Sequence, residues 1–118
     1  MGFVLDSVLK IDILVGPETI NSDFYSESID IDNREAEFGV LFSYENGAAV
    51  NMTLYLQVSP DNQTWFDVAD SDQVITDASG NHFWDIQGTG SSFLRVKVVV
   101  AAGSIDISKI TYSGKRRH

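Results

Sequence analysis

Apolar and polar residues alternate with a period of two along nearly the whole chain, the pattern of strands with one buried face. From Phe3 the odd positions Phe3, Leu5, Leu9, Ile11, Ile13 and Val15 are apolar, with Asp6, Lys10 and Asp12 between them. This predicts one long strand, or two meeting at a kink, ended by Gly16-Pro17. A polar, β-prone stretch from Ile20 to Asp32 places Tyr25, Glu27, Ile29 and Ile31 on one face, and Asp32-Asn33 signals a turn. Ala36, Phe38, Val40, Phe42 and Tyr44 then alternate with Glu37, Gly39, Leu41 and Ser43. Glu45-Asn46-Gly47 should close a hairpin there, with Val50, Met52, Leu54, Leu56 and Val58 as the buried face of the returning strand.

The stretch SPDNQTWFDV, Ser59 to Val68, reads as the next corner. Pro60 pre-sets φ for a turn, Asp61 and Asn62 tolerate left-handed backbone and bond their own main chain, and Trp65 offers a core-sized apolar face to the strand that follows. The expectation is a hairpin with Trp65 in the core. Beyond it come a short strand at Gln73–Thr76, a turn at Asp77–Asn81 and a strand at His82–Gln87 with Phe83, Trp84 and Ile86. After Gly88-Thr-Gly90, Leu94, Val96, Val98 and Val100 share one side of a strand, and Phe93, Arg95, Lys97 and Val99 the other. Ala101-Ala102-Gly103 reads as a turn into Ser104–Tyr112, where a phase slip between Ser108 and Lys109 predicts a β-bulge. No segment keeps a helical period. About eight to nine short strands predict an all-β, two-sheet antiparallel sandwich, jelly-roll or immunoglobulin-like. The reading is one domain over 1–118, with a candidate N-terminal arm at 1–16 and a flexible basic tail at 113–118.

Charge narrows the function classes. Seventeen acidic against eight basic side chains leave a net charge of −9 over 118 residues, which argues against nucleic acid or an anionic membrane as partner. The local exception is Lys115-Arg116-Arg117-His118, holding three of the eight basic residues, a terminus able to dock on an acidic neighbour. Without cysteine there is no disulfide, thiol nucleophile or thiolate metal site. The N-terminal run is too polar for a signal-peptide core and too short for a bilayer, so Met1 reads as a cytosolic start.

Catalytic patterns are missing. The histidines are His82, within a strand, and the terminal His118, and nucleophilic catalysis needs a base beside its nucleophile; the chain reads as a non-enzyme. Acidic turns at Asp30–Asn33, Asp70–Asp72 and Asp77–Asn81 offer oxygen ligands of the kind Ca²⁺ takes, without matching a full EF-hand loop. Trp65, Trp84, Tyr25, Tyr44 and Tyr55 are candidate platforms for a sugar ring, which makes a carbohydrate-binding module the alternative function. Ser59–Trp65 also resembles a sialidase Asp-box, one residue short and present once.

A longer stretch carries another resemblance. From Leu54 to Ile110, LYLQVSPDNQTWFDVADSDQVITDASGNHFWDIQGTGSSFLRVKVVVAAGSIDISKI resembles small β-sandwich virion proteins of tailed bacteriophages. In those, an LQVS-D-TW-DV hairpin is followed by a Gly-rich turn and an F-RVKV strand. The resemblance implies a structural virion subunit made in the host cytoplasm: a capsid decoration, connector or tail accessory protein that works by assembling with copies of itself and with other virion proteins, without a cofactor. The interface residues to expect are then Phe3 and Leu5 of the arm, Arg95 and Lys97 on their strand face, and Lys115, Arg116, Arg117 and His118 of the tail.

Overall fold

The alternation of Phe38, Val40, Phe42 and Tyr44 resumes in phase at Val50 through Val58 because both runs belong to a single strand. In the computed structural model, which describes residues 7–31, 35–87 and 91–116, the strands are β1 Ser7–Ile20, β2 Phe24–Tyr25, β3 Ile29–Asp30, β4 Glu35–Ser59, β5 Phe66–Asp67, β6 Gln73–Ile75, β7 Gly80–Gln87 and β8 Phe93–Arg116. The long strands β4 and β8 run antiparallel from Glu35↔Arg116 to Ser59↔Phe93. This ribbon bends midway and folds on itself, so each strand contributes one half to each of two layers.

β1 pairs with the C-terminal half of β8, and β7 with the N-terminal half of β4. The first layer is therefore ordered β1, β8, β4, β7. In the second, β2 and β3 pair with the N-terminal half of β8, while β5 and β6 pair with the C-terminal half of β4. Counting the bent strands as two each, the layers run 1-8-3-6 and 2-7-4-5, the jelly-roll order. Between them lies one core, with Phe38, Val40, Phe42 and Tyr44 facing Met52, Leu54, Leu56, Leu94, Val96 and Val98. Each such side chain, fully buried, contributes about 1.5–3 kcal/mol.

Three expected chain reversals are bends inside strands. Asn46 has φ 56° and Ala49 φ 52°, but the ladder resumes across them, with Glu45↔Asp106 on one side and Asn51↔Ala102 on the other. The left-handed preference of Asn-Gly thus serves a bulge rather than a hairpin. Gly103, at φ 85°, is the matching bend in β8. Gly16, at φ 88°, is a bulge in β1, which continues to Ile20 with a register shift between Val15 and Glu18. Asp106 ties the corner together, accepting from Thr19 Oγ1 and, at 2.9 Å, from Asn46 Nδ2. The predicted slip near Ser108 is present: Ser43 opposes Lys109 and Tyr44 opposes Ile107, leaving Ser108 unpaired on that side.

The edges differ from expectation. An extra residue at Ile13, between Asp12↔Thr111 and Leu14↔Ile110, turns Leu14 toward the core and leaves Val15 74% exposed. The odd-numbered face of β1 is therefore not uniformly buried. Around β2 and β3 the phase also breaks: Ser26, Ile29 and Ile31 are buried, whereas Tyr25 and Glu27 are exposed. Ser7 to Val15 lie along β8, and β8 itself runs through 113 to Arg116.

Candidate functional site

Side chains that leave the core side of the second layer meet on its outer face. Leu94, Val96 and Val98 point inward and are fully buried, which sends Arg95 and Lys97 outward. Leu54, Leu56 and Val58 do the same for Tyr55 and Gln57 on β4. Register brings these together: Gln57 opposes both Arg95 and Asp67, and Lys97 opposes both Tyr55 and Tyr25.

The result is a continuous polar and aromatic lattice. Arg95 Nε donates to Gln57 Oε1 at 2.8 Å, and Gln57 Nε2 donates to Asp67 Oδ1 at 2.8 Å. Lys97 Nζ lies 3.0 Å from Asp67 Oδ1 and 4.4 Å from the centre of the Tyr55 ring. The Arg95 guanidinium sits 4.5 Å from the Tyr25 ring centre and 4.2 Å from that of Trp65. Burial pulls Arg95 below its ordinary value, and the two rings supply cation–π attraction in return. The Gln57 amide, followed by Lys97, holds the Asp67 carboxyl below the usual carboxylate range.

The loop from Ser59 is organised by Asp61. Its carboxylate accepts from the main-chain N–H of Gln63 at 2.9 Å and of Thr64 at 2.8 Å, and Ser59 Oγ donates to it at 3.0 Å. The Thr64 and Gln63 amides hold Asp61 low. Asn62 is left-handed at φ 62°, and Phe66 and Asp67 return along β4. Ser59–Val68 is thus a hairpin corner. Trp65, however, is only half-buried and lies against Arg95 on the outer face. The core tryptophan is Trp84, 5% exposed, whose Nε1 donates to the Ser71 carbonyl at 2.6 Å.

Of the residues expected at an interface, Arg95 and Lys97 lie in this lattice. Lys115 and Arg116 stand about a layer away at the end of β8, opposite Glu37 and Glu35. Phe3, Leu5, Arg117 and His118 fall outside the described residues. Of the five aromatic platforms, Tyr44 and Trp84 are core residues, and Tyr25 and Trp65 each give a face to Arg95. No group of three or more His, Asp or Glu among the described residues could hold a metal ion; Asp32 and Asn33 fall outside them. Sequence reasoning missed the buried serines. Ser26 Oγ accepts from Val96 N at 2.8 Å, and Ser71 Oγ accepts from Leu56 N at 3.1 Å. Each stands in for a strand partner where an edge is interrupted, a role that only the register reveals.

No sequence-family model matches the chain, and no curated protein matches it by sequence. Solved structures do match its shape. The SPBc2 prophage-derived protein YomS superposes with a TM-score of 0.59 at 14% identity, over 98% of both chains. FlhE gives 0.55 at 9% identity, over 96% of this chain and 98% of its own. The enzymatically active domain of bacteriophage CBA120 tailspike protein 4 gives 0.56 at 13% identity, with 95% of this chain matched to 18% of that one. At these identities the likeness establishes the all-β sandwich fold, which this chain shares with phage-derived proteins.

Proposed function

We propose that the chain is a structural subunit of a phage particle, a capsid decoration or a connector or tail accessory protein, whose work is protein–protein assembly and includes no chemical step. The observation that carries this reading is the end-to-end match with prophage-derived YomS, in which 98% of each chain is matched. A fold that is the whole of a small prophage protein, and also a part of a phage tailspike, is one that phage particles employ. The outer-face lattice supports it: Lys97 is paired with Asp67, and Arg95 is held by Gln57 and two aromatic rings, which suits a surface presented rigidly to a neighbour. A sugar, by contrast, requires an open ring face, and Tyr25 and Trp65 each spend one on Arg95.

Particles purified on a density gradient from cells producing the phage that encodes this chain test the proposal. The expected result is the chain in the particle band at a fixed ratio to the major capsid or tail protein, measured by quantitative mass spectrometry. Its absence from particles, together with saturable binding on a glycan array, would replace this reading with the carbohydrate-binding one.

A further inference from the structure

Three of the four sheet edges are visibly closed to further strand pairing. The β2–β3 edge is interrupted at Ser26, whose main-chain N–H bonds Val96 O and whose hydroxyl accepts from Val96 N. The β5–β6 edge is interrupted by the loop between Asp67 and Gln73, where Ser71 Oγ takes over Leu56 N and Asp70 is left-handed at φ 59°. On the β7 edge, the Gln73 side chain bonds both the Phe83 carbonyl and His82 Nδ1. Along β1 the ladder to β8 is regular from Ser7 to Asp12. Among the described residues nothing pairs with its outer side; its irregularities are the extra residue at Ile13 and the bulge and proline at Gly16-Pro17. A long strand edge left open is a template for another strand.

The residues along that edge specify which strand. Leu9-Lys10-Ile11-Asp12-Ile13, apolar, basic, apolar, acidic, apolar, is complementary in charge to its own reverse. We infer that two copies of the chain join through antiparallel pairing of their β1 edges, centred on Ile11, so that Lys10 of each copy opposes Asp12 of the other. This rests on the assembly reading above and names its contact. Around a two-fold axis at Ile11, Leu9 falls opposite Ile13, the extra residue of β1, and the regular part of the pairing carries two opposite-charge pairs. Lys10 and Asp12 lie on the same, exposed side of β1. Beside the join, a cleft of about 340 Å³ between the layers is lined by Ile13, Leu14 and Phe24, and the added strand would lie along it. Main-chain hydrogen bonds supply the affinity; exposed ion pairs are individually weak, and here they select the register.

Charge exchange tests the pairing, with the full chain's mass followed by light scattering over a dilution series. Wild type should be an even-numbered oligomer. Lys10→Glu places two acidic residues opposite each other and Asp12→Lys two basic ones, so each variant alone should dissociate at a concentration at least tenfold higher. Mixed in equal amounts, the two variants oppose Glu to Lys and Asp to Lys, and association should return. Circular dichroism melts confirm folding; Lys10→Glu keeps the bond from Thr111 Oγ1 to Asp12 and serves as the cleaner single variant. A monomeric wild type, variants that associate like wild type, or a mixture that stays dissociated overturns the inference. If the chain nonetheless travels with phage particles, the proposed function stands and only this contact falls.

Discussion

Arg95 is held by three neighbours at once, Gln57 through Nε and the rings of Tyr25 and Trp65 at 4.5 and 4.2 Å. Trp65 therefore acts on the surface, and its removal should be tolerated. Trp65→Ala loses a cation–π contact of about 0.5–1 kcal/mol and some half-buried area, so the chain stays folded with a Tm lower by a few degrees. Trp84→Ala removes a core ring and leaves the Ser71 carbonyl without its indole donor, a loss of about 3–5 kcal/mol. Thermal melts of the two variants side by side check this; equal losses would contradict the assignment. His82 supplies a second residue-scale prediction. It stacks on Tyr44, its Nδ1 is 2.6 Å from Gln73 Oε1, and burial lowers its affinity for a proton below the ordinary value of 6.5 despite the opposing pull of Asp77. The unfolded chain thus binds more protons than the folded one in that window. Stability is fully present above about pH 6.5 and declines as pH falls toward the lower folded value. Tm should be lower at pH 5.5 than at pH 7.5, and His82→Gln should flatten that difference. Asp61, Asp67 and Asp106, all held low, begin to contribute only nearer the carboxylate value of 3.8.

At the level of elements, the bend in the β4–β8 ribbon decides whether two layers form. A Cβ on Gly103 would overlap the carbonyl oxygens of Ala48 and Ala49 at a φ of 85°, whereas a Cβ on Gly16, at φ 88°, meets nothing within 4 Å. Both substitutions carry the left-handed penalty of about 1–2 kcal/mol, but only Gly103→Ala adds a clash with backbone. Gly16→Ala should lower Tm by several degrees. Gly103→Ala should lower it by roughly 10 °C or more, or prevent folding. Denaturant titration of both variants measures the gap, and a Gly103→Ala no worse than Gly16→Ala would mean that the ribbon can bend elsewhere. Strand interiors were legible from sequence because burial on one face imposes a period of two, and every inward position from Phe38 to Tyr44 and from Met52 to Val58 follows it. The ends were not. Asn46-Gly47 and Ala101-Ala102-Gly103 satisfy the local requirements of a turn and of a bulge equally well, and the choice rests on whether a partner strand continues opposite them.

Across the whole molecule, a 55 × 30 × 22 Å body presents one braced face on the second layer and, on the first, an edge at β1 that no other described strand pairs with. Symmetry can repeat a modest contact of this kind, and the charge-exchange experiment addresses it at this scale. Little of the candidate surface was readable from the chain. Alternation alone sends Arg95 and Lys97 outward, yet their partners come from three stretches, Tyr25 on β2, Gln57 on β4, and Trp65 with Asp67 in the Ser59–Val68 hairpin. The size of Trp65 fits a core, but a turn residue's burial depends on what lies beneath it, and here that is Arg95. The strand class, the inward positions, the hairpin at Ser59–Val68 and the bulge at Ser108 are written in the chain, since each follows from local alternation or turn chemistry. Tertiary structure alone decided the jelly-roll order, the bending of strands where turns were expected, the exchange of roles between Trp65 and Trp84, and the open edge of β1. These depend on pairings between residues far apart in the chain, which no local pattern encodes.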